Sequence, residues 1–63
     1  MNSIPLGVLV VDDETRQRRG LAAMIRDLRP EYEVWEAKNG KDALTISLSQ
    51  PIQIVLQIFK CRL

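Results

Sequence analysis

The chain has no histidine, so neither a Ser/His/Asp nor a Cys/His catalytic set can be assembled from it. Its single cysteine, Cys61, cannot close an internal disulfide, and a reducing cytoplasm is the simplest setting for it. Charge of one sign is also missing. The net charge is +1, which gives no electrostatic ground for a nucleic-acid partner or an acidic membrane. No apolar run approaches the ~20 residues of a membrane-spanning helix. The longest candidate, Ile52 to Phe59, is interrupted by Gln53 and Gln57. The first run, Gly7 to Val11, is short, lacks a basic leader and meets Asp12, Asp13 and Glu14 at once, which does not read as a secretory signal. Glycine is absent between Asp12 and Arg19, so the glycine-lined turn by which β-α-β units cradle a nucleotide phosphate is missing. There is no internal repeat, low-complexity stretch or linker.

What is present is an apolar fraction of 46% in 63 residues, the composition of one small globular domain or part of one. Val8-Leu9-Val10-Val11 reads as a strand buried on both faces, predicted over about 6–11. Leu21, Ala22, Ile25 and Leu28 recur at helical spacing and predict an amphipathic helix over about 15–28, stopped by Arg29-Pro30. Residues 32–37 alternate, with Val34 and Trp35 among glutamates, and suit a strand at a charged sheet edge. Lys38-Asn39-Gly40 reads as a turn. A second helix follows over about 41–49, with Ala43, Leu44 and Ser47 on one side, and Pro51 bars its extension. A third strand is predicted over about 52–59. Strands alternating with helices predict an α/β chain, β-α-β-α-β, with a parallel sheet and right-handed crossovers.

In such sheets sites form beyond the carboxyl ends of the strands. Asp12 and Asp13 fall there, and the pair carries two readings. Adjacent carboxylates offer oxygen ligands to a hard divalent ion such as magnesium, whereas aspartates after a strand also serve as helix caps. A magnesium site wants a further anion, and no acidic residue follows Asp42. Arg16, Arg18 and Arg19 are read as a solvated face rather than a phosphate or nucleic-acid surface. Trp35 is read as a strand residue at the sheet edge.

Three motifs together resemble a known family. Val8-Leu9-Val10-Val11-Asp12-Asp13-Glu14, then Arg19-Gly20-Leu21, then Glu36-Ala37-Lys38-Asn39-Gly40-Lys41-Asp42-Ala43-Leu44 look like the receiver domain of bacterial two-component response regulators, most of all those joined to helix-turn-helix transcription regulators. The likeness runs from about Leu6 to Leu56 and covers roughly the first half of that fold. A complete domain of this size class needs ~100–150 residues. The resemblance implies a partial flavodoxin-like fold over 1–63 with parallel strands in the order 2-1-3, the intact order being 2-1-3-4-5. It also implies a vestigial magnesium site, with Asp13 binding Mg2+ directly and Asp12 through water, and a sensor histidine kinase as phosphoryl donor to an aspartate at the end of the third strand.

The departure from the family lies at that aspartate. Ile58 occupies its place and cannot be phosphorylated, so Mg2+ binding is expected to be weak or absent and no enzymatic activity is expected. The tail admits an explanation. Under one choice of synonymous codons, Gln57 to Leu63 shifted by one base reads as a small residue or proline followed by Asp-Ile-Gln-Met-Pro-Leu, the family's pattern at the acceptor. The chain is thus read as a frameshifted, phosphorylation-incompetent fragment. The alternative is a contact-only pseudo-receiver that binds an intact receiver or another protein. In a 2-1-3 sheet the third strand is an edge, and its aliphatic residues Ile52, Ile54, Val55, Leu56 and Ile58 make self-association the expectation, with Lys60 and Arg62 giving modest protection. In so small a chain core burial and ordering entropy nearly cancel, so marginal stability is expected.

Overall fold

A computed structural model of the chain describes residues 5–58. Five elements follow in order: β1 (Gly7–Val11), α1 (Thr15–Leu28), β2 (Glu33–Ala37), α2 (Gly40–Ser49) and β3 (Ile54–Gln57). All three strands are parallel and lie in one sheet in the order β2-β1-β3. This is the parallel α/β sheet that the alternating pattern implies, in the partial flavodoxin-like order that the resemblance implies.

The chain steps from β1 to β2 in one direction and then crosses back over β1 to β3. Crossovers of one hand therefore place α1 and α2 on opposite faces of the sheet. β1 is left with a neighbour on each edge and a helix on each face, and all five of its residues are buried. On the α2 face, Leu9, Val11 and Ala37 form the core, with Trp35, Ala43, Ile46 and Ile52 packed against them. On the α1 face lie Val8 and Val10, and α1 itself buries Ala22 completely. Trp35 is thus half-buried against the core from its edge strand.

Several boundaries differ from the expected ones for local reasons. α2 begins at Gly40, because Asn39 is its N-cap and not part of a free turn: the Asn39 Oδ1 accepts from the Asp42 amide at 2.8 Å. The inner face of α2 is Ala43 and Ile46, not Ala43, Leu44 and Ser47. Leu44 is 60% exposed, since that side of the helix overhangs β3 where no further element lies among the described residues. In α1 the apolar stripe holds through Ala22 and Ile25, but Leu28 at its end is 68% exposed for the same reason. β3 is four residues long instead of the expected 52–59. Ile52 precedes the strand and packs into the core, Ile58 follows it, and position 59 lies outside the described residues. No helix among the described residues is long and apolar enough to cross a membrane.

Gly7 is fixed by a close approach. A Cβ there would overlap the backbone carbonyl of Pro51, while the Gly7 amide donates to the Gln53 Oε1 and its carbonyl accepts from the Gln53 amide at 2.9 Å. The turn into β3 therefore rests directly on the start of β1. Gly7→Ala is expected to lower stability by about 1–3 kcal/mol, the range for overpacking a site that cannot yield. Urea denaturation followed by Trp35 fluorescence checks this, and an unchanged midpoint would contradict it.

Candidate functional site

The carboxyl ends of the three strands bring together Asp12 after β1, Lys38 after β2 and Ile58 after β3. Asp12 continues the β1 ladder, its amide donating to the Ala37 carbonyl at 3.0 Å. It is 2% exposed, the one buried charged residue among those described. Its Oδ1 accepts from the Glu14 amide at 3.0 Å, which turns the chain into α1. The second oxygen, Oδ2, is buried and has no hydrogen-bond partner among the described residues. The N-cap position of α1 is Glu14, and the helix takes no side-chain cap bond from it, so the capping contribution here is the Asp12 turn. Asp13 is exposed.

An unpartnered buried carboxylate oxygen costs roughly 1–3 kcal/mol, and an ordered water or a bound ion commonly supplies the missing partner. Asp12 Oδ2 is therefore open to a water or a cation. The surrounding donor set is incomplete, however. No group of three or more His, Cys, Asp or Glu side chains suited to a metal ion occurs among the described residues. On β3 the residue at the same level is Ile58, whose amide donates to the Val11 carbonyl at 3.2 Å and whose side chain offers no oxygen. Asp12 and Asp13 supply two carboxylates, and the third anionic position that magnesium chemistry wants is aliphatic. The residues present do not make a complete magnesium site.

Arg18 is the side chain at this end of the sheet whose place the sequence reading missed. Its Nη1 donates to the Asp12 backbone carbonyl at 3.0 Å, and its Nε donates to the Glu36 Oε1 at 3.2 Å. The guanidinium therefore ties the end of β1 to β2 from above. Glu36 also meets Arg26, with Nη1 at 3.7 Å from Oε2. The Arg18 side chain is only 13% exposed, which corrects its reading as part of a solvated arginine face. Arg16 and Arg19 are exposed as that reading had it. The signal was available: Arg18 precedes Leu21, Ala22 and Ile25 by three, four and seven positions and so belongs to the inward stripe. Beside this network an open cleft is lined by Arg18, Glu36, Lys38, Asp42 and Thr45, a set of mixed sign that selects neither anions nor cations.

No family model matches the chain, and neither a curated protein nor a solved structure matches it.

Arg18→Ala removes two charge-assisted contacts and is expected to destabilise by about 1.5–3 kcal/mol, whereas Arg16→Ala stays within ~0.5 kcal/mol. A double-mutant cycle of Arg18→Ala with Glu36→Gln in chemical denaturation measures the coupling. Equal effects of the two arginine variants would contradict the assigned network.

Proposed function

We propose that this chain is a receiver-type segment of a two-component phosphorelay, acting in the cytoplasm, whose phosphoacceptor position is filled by Ile58. The observation that carries this reading is Asp12. A charged residue is buried at the carboxyl end of the central strand, with one oxygen that has no partner among the described residues, where a receiver holds its metal-binding aspartates. The 2-1-3 parallel order and the three sequence motifs support the same assignment.

On this reading the chain keeps the metal-binding half of the site and lacks the half that takes the phosphoryl group. Asp12 and Asp13 are a vestigial pair. Magnesium, when bound in such a site, offsets negative charge as phosphoryl meets carboxylate. Here a sensor histidine kinase finds no carboxylate to transfer to at Ile58, and the chain performs no catalysis. A second reading, a contact-only pseudo-receiver that engages an intact receiver, is favoured by one feature: Ile54, Val55 and Leu56 of β3 are all exposed.

The test adds the missing group. Ile58→Asp is expected to raise affinity for Mg2+ or Mn2+ at least about tenfold in titration calorimetry, equivalent to ~1.4 kcal/mol. That is modest beside the ~4 kcal/mol Coulomb attraction of unit charges 4 Å apart at an effective dielectric of 20. The wild-type chain should take up no phosphoryl group from acetyl phosphate by intact-mass measurement. A folded Ile58→Asp variant with no gain in metal affinity would overturn the reading.

A further inference from the structure

The two edges of the sheet are finished in opposite ways. At the β2 edge, the Glu33 amide donates to the Leu6 carbonyl and the Ala37 carbonyl accepts from Asp12, so Glu33, Trp35 and Ala37 turn their backbone groups toward β1. With a period of two, Val34 and Glu36 turn theirs outward. The outward Val34 carbonyl is taken by the Arg26 Nη2 at 3.0 Å, and the Glu33 and Glu36 side chains charge this strand. Such devices block strand addition.

At the β3 edge the Ile58 amide donates to the Val11 carbonyl. By the same alternation Ile54 and Leu56 face β1, and Val55 and Gln57 present their N–H and C=O groups outward. No side-chain bond to these groups occurs among the described residues. No charged residue lies between Asp42 and Lys60, so the strand itself carries no charge that repels a copy, and the nearest charges, Lys60 and Arg62, follow it and give only modest protection. Both faces of the strand are open as well. Ile54 and Leu56 border an apolar groove with Val8, Ile25 and Leu28, while Val55 and Gln57 border another with Leu9, Val11 and Leu44.

We propose that the occupant of this edge is β3 of a second copy of the chain, paired antiparallel about a two-fold axis through Leu56. In that register Val55 of each copy lies opposite Gln57 of the other, and each such pair exchanges both of its N–H···O bonds. The four outward groups on each copy are all satisfied. Leu56 meets Leu56, and Ile54 meets Ile58, on the face that carries α1. The product is a continuous six-stranded sheet, β2-β1-β3-β3-β1-β2, with its two outer edges already blocked by Arg26. This closes the assembly as a dimer and does not extend it as a fibre. The proposal rests on the sheet geometry alone and is independent of the receiver reading.

Cysteine cross-linking in a Cys61→Ser background tests the register. Leu56→Cys places two sulfur-bearing residues in a non-hydrogen-bonded pair with Cα atoms ~4.5 Å apart, within disulfide range. Val55→Cys places its two copies diagonally, ~7–8 Å apart and beyond that range. Under mild oxidation Leu56→Cys should form disulfide dimer at least about tenfold faster than Val55→Cys, and a mixture of Val55→Cys with Gln57→Cys should yield the heterodimer. Equal rates for Leu56→Cys and Val55→Cys, as in a parallel stack or an unfolded chain, would overturn the proposal. So would a chain that sediments as a monomer at high micromolar concentration, which leaves the edge to a partner of different sequence.

Discussion

The structure depends on the enclosure of β1. A five-residue strand with hydrogen-bonded neighbours on both edges and a helix on both faces leaves no room for a polar side chain, and Gly7-Val8-Leu9-Val10-Val11 has none. Every other element touches this strand, and the two helices pack on β2 as well. β2 and β3 are held by its two edges, α1 covers Val8 and Val10, and α2 covers Leu9 and Val11. The same enclosure carries Asp12 to a buried position one residue past the strand, where its backbone is still in the ladder but its side chain is not yet in water. A buried carboxylate, with one oxygen that has no partner among the described residues, is the direct consequence.

Around that carboxylate the chain retains polar structure on one side only. Toward β2, Arg18 bridges the Asp12 carbonyl and Glu36, so the β1–β2 junction is tied by charge-assisted bonds. Toward β3, the neighbour is Ile58, and the junction is aliphatic. Both proposals rest on this asymmetry. A site with Asp12 and Asp13 on one side and Ile58 on the other offers carboxylate oxygens beside β1 and only an aliphatic side chain beside β3. A sheet whose β2 edge is charged and whose β3 edge is neutral offers one surface for pairing.

The order of elements was legible because each has its own period: continuous apolar residues for β1, a 3.6-residue stripe for α1, alternation for β2. Strand order and the edge position of β2 followed from the family likeness and from its glutamates. The inward face of α2 was not legible. Ala43, Leu44, Ile46, Ser47 and Leu48 give an ambiguous stripe in ten residues, and which side faces in is settled by Trp35 and the β1 side chains across the layer. The length of β3 was overread because Ile52 and Ile58 are apolar for different reasons, one packing into the core and one following the last paired residue. Asp12 and Asp13 were found from their place after a strand, but their division into a buried and an exposed partner needed the sheet. Arg18 was hidden by composition: among neighbouring arginines a single inward one is visible only by its spacing to Leu21, Ala22 and Ile25.

Amide hydrogen exchange, read residue by residue on the dilute chain, tests most directly that β1 is enclosed on both edges and that β3 is open on its outer one. The account predicts that the amides from Val8 to Asp12 exchange slowest and together, that Leu56 and Ile58 are protected, and that the alternate amides of Val55 and Gln57 exchange at rates near those of an unstructured peptide. β1 amides that exchange as fast as those of the Lys38 turn, or a β3 with no alternation in protection, would contradict it.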